Sequence, residues 1–194
     1  MGNLRSVSKA LEHVAGGKTV VVTADPAVVA AAERVVFPGQ GAMPDCMNEL
    51  DARGLRAAVL AAAKDKPFLG ICVGEQMLFE RSDEGDVPAL GVFPGNVKRF
   101  PDAKMYLPTG ERLKVPHMGW NEVRQSPHAL WNGIADGSRF YFVHSYFVEP
   151  ADPALVTGRC EYGVPFTCVA VQFHPEKSAR DGLQLLKNFV EWHP

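Results

Sequence analysis

The stretch Phe68-Leu69-Gly70-Ile71-Cys72-Val73-Gly74-Glu75-Gln76 runs an apolar strand into a Gly-x-Cys-x-Gly turn and then into a helix. No other feature constrains the fold as tightly, because a buried strand that turns sharply into a helix belongs to a sheet covered by helices. Glycines two before and two after Cys72 let the backbone turn, and leave room for a substrate on one side and a neighbouring strand on the other. The turn is expected to present Cys72 at a helix N-terminus, where unpaired N–H groups and the helix dipole favour a thiolate. A free cysteine is ordinarily a small core residue; inside this elbow it reads as a nucleophile.

The flanking sequence has the periodicity such a sheet needs. Leu4, Val7, Leu11 and Val14 recur at helical spacing before Gly16 and Gly17 end the helix. Residues 19–23, Thr-Val-Val-Val-Thr, read as a strand; Asp25 and Pro26 read as the cap and first residue of a helix, and 34–37 as a second strand. Helical patterns follow over 42–52 and 54–64, then a strand over 67–71 and an elbow helix over 73–81. This alternation predicts a parallel, doubly wound α/β arrangement. Beyond residue 96, shorter alternating segments at 96–100, 112–115, 139–143 and 155–161 predict antiparallel strands added to the same core. A strand over 167–173 and a helix near 180–192, with Leu183, Leu186, Phe189 and Val190 on one face, follow. The alternation begins on a helix where such a sheet normally begins on a strand. The first strand is therefore expected to be missing, and the sheet edge to need cover from upstream sequence or another element.

Two more segments bear on chemistry. Val169-Ala170-Val171-Gln172-Phe173 leads into His174-Pro175-Glu176. Alone, His174 reads as a strand-end histidine and Glu176 as a helix-capping carboxylate. With Cys72 they make a nucleophile, a general base and its orienter, the set that acyl transfer through a thioester requires. Phe37-Pro38-Gly39-Gln40-Gly41-Ala42 is either an ordinary Pro-Gly turn or half of an oxyanion hole, with an N–H from Gly39, Gln40 or Gly41 beside the N–H of Val73. Composition narrows the classes. A chain of 194 residues, 46% hydrophobic, suits one domain over 1–194. A net charge of −2 without any Lys/Arg run argues against nucleic-acid binding. Four cysteines without a Cys-x-x-Cys pair fit reduced thiols in a cytoplasmic protein, and no segment has the length of a membrane span. No metal-ligand spacing occurs, so neither a metal nor a cofactor is expected.

Pro38-Gly39-Gln40-Gly41, Gly70-Ile71-Cys72-Val73-Gly74-Glu75-Gln76 and Phe173-His174-Pro175-Glu176, in this order, resemble the class I, triad-type glutamine amidotransferases. The resemblance covers the whole chain. It implies a flavodoxin-like, mostly parallel twisted sheet with flanking helices and added antiparallel strands. It further implies that Cys72 attacks the side-chain amide of L-glutamine, that His174 protonates the departing ammonia, that Glu176 holds His174, and that water then releases glutamate from the thioester. Within the family, Lys114-Val115-Pro116-His117-Met118-Gly119-Trp120-Asn121, Phe142-Val143-His144-Ser145-Tyr146 and the opening residues 1–7 are similar to glutaminase subunits that deliver ammonia to a cyclase subunit, a (β/α)₈ barrel, in histidine biosynthesis. By that resemblance Gly74, Gln76, His144, Ser145 and Tyr146 bind glutamine. Pro116, His117, Met118, Gly119, Trp120, Asn121 and Lys177 face the cyclase in a heterodimer. Bland readings stand beside these: a solvated helix residue for Gln76, core aromatics for Tyr146 and Trp120, a surface lysine for Lys177. Three alternatives remain: a glutaminase of pyridoxal phosphate synthesis, a non-catalytic partner-binding subunit, and a cysteine hydrolase that acts alone.

Overall fold

The computed structural model describes residues 2–168 and 172–193. Helix α1 (Gly2–Val14) buries Val7 and Leu11, four residues apart, against the core and packs on the last helix. Helix α2 (Pro26–Ala31) starts as its sequence dictates: the Asp25 carboxylate accepts the Ala27 N–H at 2.8 Å, and Pro26 takes the first helical position. Strand β1 (Val35–Gly39), helices α3 (Met43–Ala52) and α4 (Arg56–Asp65), strand β2 (Phe68–Cys72) and helix α5 (Val73–Gln76) follow. β1 and β2 pair in parallel, from Val35 opposite Phe68 to Gly39 opposite Cys72. That register brings the glycine at the end of β1 level with the cysteine of the elbow.

The second half is built from β3 (Arg81–Ser82), β4 (Val87–Pro88), β5 (Gly95–Arg99), β6 (His117–Glu122), β7 (Arg124–Gln125), β8 (Arg139–His144), β9 (Tyr146–Pro150), β10 (Gly158–Tyr162) and β11 (Val164–Thr167), ahead of helix α6 (Ala179–Glu191). β4-β3-β5-β9 form one sheet, β6-β8 a second and β11-β10-β7 a third. Apart from β1 with β2 and β3 with β5, the pairings among the described residues are antiparallel, as expected for the added strands. Phenylalanines join the layers: Phe140 stacks on Phe173 with centroids 4.2 Å apart, and Phe166 meets both Phe100 and Phe142 edge-on.

Four local expectations are corrected. Residues 19–23 form no strand, and Val21 and Val22 are each 60% exposed. β-branched residues favour extended backbone, but a strand also needs a neighbour for its N–H and C=O groups, and none of the described strands pairs with this segment. The elbow helix ends after one turn at Gln76 rather than at 81. Met77, Leu78 and Phe79 are driven into the core, and the backbone switches to sheet partners, with the Glu80 N–H on the Gly95 carbonyl at 3.0 Å. Residues 112–115 give only an isolated bridge, Tyr106 with Arg112. On α6, Leu185 rather than Leu183 is buried beside Leu186, Phe189 and Val190. The strand expected over 167–173 lies partly at 169–171, outside the described residues. No helix among the described residues is long and apolar enough to cross a membrane.

Candidate active site

Cys72 sits at the turn from β2 into α5 with φ +55° and ψ −119°, a backbone conformation that a non-glycine residue holds only when its surroundings enforce it. Three glycines provide that enforcement. A Cβ on Gly74 would lie 1.8 Å from the Phe37 carbonyl oxygen, one on Gly39 would lie 2.4 Å from the Gly74 nitrogen, and one on Gly70 would lie 2.6 Å from Cα of Glu75. The glycines around Cys72 therefore admit backbone on both sides, β1 against Gly74 and α5 against Gly70, rather than a substrate on one.

Across the cleft, the His174 N–H donates to the Tyr141 carbonyl of β8 at 2.9 Å, and the His174 carbonyl accepts from the Ser178 hydroxyl at 2.7 Å. Pro175 then opens a single 3₁₀ turn that folds Glu176 back beneath the ring. His174 Nδ1 and Glu176 Oε1 are 3.0 Å apart, with side chains only 7% and 0% exposed. With Nδ1–H donated to the carboxylate, Nε2 is the ring atom left to take or give a proton.

Cys72 and His174 line one cleft of about 520 Å³, together with Gly39, Gln40, Gly41 and Val73 of the two loops and Gln76, His144, Tyr146 and Lys177. The Gln40 carbonyl accepts from the Cys46 thiol at 3.2 Å, which ties the glycine loop to α3. Gly74, Ser145 and Glu176 do not line the cleft: Gly74 is packed under Phe37, and Glu176 lies behind His174. Two lining residues, Val143 and Glu84, were given no site role from the sequence, although Val143 lies in the segment 142–146 that carries part of the resemblance. Glu84 reaches the cleft because its Oε2 accepts the Met43 N–H at the start of α3. Among the described residues, no group of three or more His, Cys, Asp or Glu side chains could hold a metal.

The segment 116–121 splits by strand parity. Pro116, Met118 and Trp120 are exposed, Met118 by 62% and Trp120 by 50%, whereas His117 is buried and Gly119 and Asn121 are half-buried. The expectation that all six face a partner is thus corrected for His117, whose ring stacks on Tyr162 at 4.0 Å inside the core. Trp120 is no core residue. Lys177 is exposed at the mouth of the cleft.

The electrostatics reverse one expectation. Burial pushes the Cys72 thiol up to about 12; the Val73 N–H bonded to the sulfur opposes this, and the charges of Glu75 and Glu176 add to it. A single helical turn and one N–H do not offset desolvation, so Cys72 is a thiol rather than a thiolate at neutral pH. No hydrogen bond joins its sulfur to His174 among the described residues. Alkylation of Cys72 by iodoacetamide in the isolated chain, followed by mass spectrometry of its peptide, is therefore expected to be slow at pH 7 and still to accelerate above pH 10. A rate that levels off below pH 8 would show a thiolate and contradict this reading.

Comparisons with known proteins agree with this geometry. The model of the family "Glutamine amidotransferase class-I" matches residues 4–192. The chain is 89% identical over 201 residues to "Imidazole glycerol phosphate synthase subunit HisH" of Dechloromonas aromatica (strain RCB), covering 100% of this chain and 94% of that protein. It is 68% identical over 202 residues to the protein of the same name from Aromatoleum aromaticum (strain DSM 19018 / LMG 30748 / EbN1), covering 100% and 95%. Among solved structures, "Crystal structure of glutamine amidotransferase" superposes with a TM-score of 0.67 at 16% identity over 98% of this chain and 93% of that one, a likeness of fold.

Proposed function

The chain belongs to the class I glutamine amidotransferase family, and on that premise we propose that it hydrolyses L-glutamine to glutamate and ammonia as the glutaminase subunit of an imidazole glycerol phosphate synthase, in histidine biosynthesis. The observation that carries the proposal is one cleft holding an elbow cysteine opposite a histidine that a buried carboxylate orients. One glutaminase domain over 1–194 accounts for the chain, since a single family model matches 4–192.

The chemistry follows from the atoms present. Sγ of Cys72 attacks the side-chain amide carbon of glutamine while its proton passes to Nε2 of His174. The C–N bond breaks as His174 returns that proton to nitrogen, and ammonia leaves a thioester on Cys72. Water then adds with His174 as base, the C–S bond breaks, and glutamate and the thiol are released. Each tetrahedral intermediate puts negative charge on oxygen, for which the Val73 N–H and an N–H of the loop 39–41 are the donors at hand. Glu176 stabilises the imidazolium that forms in both halves. Gln76, His144 and Tyr146 bind glutamine from the cleft wall.

A synthase subunit works with a cyclase partner. We assign its docking face to the exposed side of β6, with Met118 and Trp120 as apolar anchors and Lys177 at the cleft mouth. A (β/α)₈ barrel seated there would take up ammonia before water protonates it. The thiol state of Cys72 and its missing bond to His174 fit a subunit that is slow until its partner docks. Glutamate release from glutamine, by the chain alone and with the cyclase and its nucleotide ligand, tests this. Release is expected to rise about 10- to 100-fold in the liganded complex, the span of typical coupling between sites. Full release without the cyclase would favour a hydrolase that acts alone, and none in either state would refute the glutaminase reading.

A further inference from the structure

The Tyr146 carbonyl oxygen can only accept hydrogen bonds, and two groups approach it: His144 Nδ1 at 2.8 Å and Gln76 Nε2 at 3.2 Å. The His144 proton is therefore on Nδ1. Burial keeps that ring neutral, pushing its pKa down to about 3, so its Nε2 is an acceptor. The group 3.0 Å away is His117 Nδ1, which must then carry the proton of its own ring, also kept neutral by burial. On the far side, Gln76 spends its second amide hydrogen on Gln172 Oε1 at 3.0 Å. A flipped Gln76 would set oxygen against the Tyr146 carbonyl, so donation converges on that oxygen from both sides, from His117 through His144 and from Gln76. The amide oxygen of Gln76 is the atom left to serve the cleft that this residue lines.

We infer that His117, which does not line the cleft, is a positioning residue for the substrate: by donating to His144 Nε2 it holds the ring that anchors the Tyr146 carbonyl, and so keeps in place the acceptor on which Gln76 is oriented with its oxygen toward an N–H of bound glutamine. Register makes this possible, since His117 lies directly opposite His144 in the β6–β8 pair. Without the donor, His144 Nε2 is a buried acceptor with nothing to accept. Its ring regains a partner only by moving its proton or turning; either change leaves the Tyr146 carbonyl without its His144 donor and free to shift, and Gln76, bonded to that carbonyl, shifts with it. The inference rests on the glutaminase reading.

The test uses the complex with the cyclase and L-glutamine as the varied substrate. His117→Phe keeps an aromatic ring stacked on Phe142 and Tyr162 but removes the donor. It is expected to raise KM for glutamine about tenfold with kcat within about twofold of wild type. His117→Asn restores an N–H close to the place of Nδ1, and KM is expected to return to within about threefold of wild type. An unchanged KM in His117→Phe, or the same defect in both variants, overturns the inference. Imidazole ¹⁵N shifts of the wild-type chain give a second readout that needs neither turnover nor a folded variant. His117 and His144 are both expected as Nδ1–H tautomers, and an Nε2–H tautomer at either refutes the arrangement. A wild-type complex unable to hydrolyse glutamine would instead refute the glutaminase reading, and the tautomers would still decide the network.

Discussion

Replacing Cys72 by alanine is expected to lower glutamine-dependent turnover of the synthase complex by at least about 10⁴-fold, while turnover on added ammonia stays within about twofold of wild type. Without Sγ no thioester forms, and His174 and the oxyanion donors can only assist a direct attack by water, which is far slower. The fold should tolerate the change. Alanine keeps the Cβ that Cys72 already carries at φ +55°, so backbone strain is unaltered. Losing a small buried sulfur costs about 1 kcal/mol. The docking face on β6 is untouched, so the variant should still seat on the cyclase and leave its use of external ammonia intact. Glutamate release and cyclase product formation, measured side by side with glutamine and with an ammonium salt, check both halves. A variant that keeps glutamine-dependent turnover would remove the covalent mechanism and point to a subunit that only binds. Loss of turnover on ammonia as well would mean that the sulfur matters to docking.

What could be read from the sequence, and what could not, divides along the range of the interactions involved. The elbow was legible because its requirements are local: an apolar strand, glycines at fixed offsets and a cysteine between them. The His174–Glu176 pair was legible for the same reason, since Pro175 between them starts the turn that folds one back on the other. The ionisation of Cys72 was not, because desolvation depends on how much of the rest of the chain covers the sulfur, and a helix N-terminus read from sequence carries no measure of that. Residues 19–23 failed for a related reason: three valines announce extended backbone but say nothing of whether a neighbouring strand exists to pair with it. His117 was grouped with its neighbours because the resemblance points to a run of six residues as one face, whereas a strand turns only alternate side chains outward. Which set turns outward is fixed by the pairing with β8, which buries His117 against His144 and turns Met118 and Trp120 outward.

The second large effect is expected from a single methyl group. Gly74→Ala would place a Cβ 1.8 Å from the Phe37 carbonyl oxygen, well inside van der Waals contact. Neither side can yield cheaply. Phe37 is held in the β1–β2 pairing opposite Gly70, and Gly74 lies in the one turn of helix that begins right after the nucleophile. Relief requires β1 to separate from the elbow, and β1 ends in Gly39, opposite Cys72, so the loop that carries the oxyanion donors moves with it. The cost is expected to reach about 3 kcal/mol or more, near the upper end for overpacking because the obstacle is backbone, which lowers Tm by roughly 10 °C in a chain of this size. Gly54→Ala is the informative comparison. Its φ is +65° and its Cβ would meet nothing within 4 Å, so it bears only the conformational penalty of about 1 kcal/mol. Thermal unfolding of both variants separates steric from conformational cost. Glutamine hydrolysis in the complex, normalised to folded protein, then shows whether the oxyanion loop has moved, and a Gly74→Ala protein that melts with Gly54→Ala and keeps full activity would mean that this junction neither holds the elbow nor sets the donors.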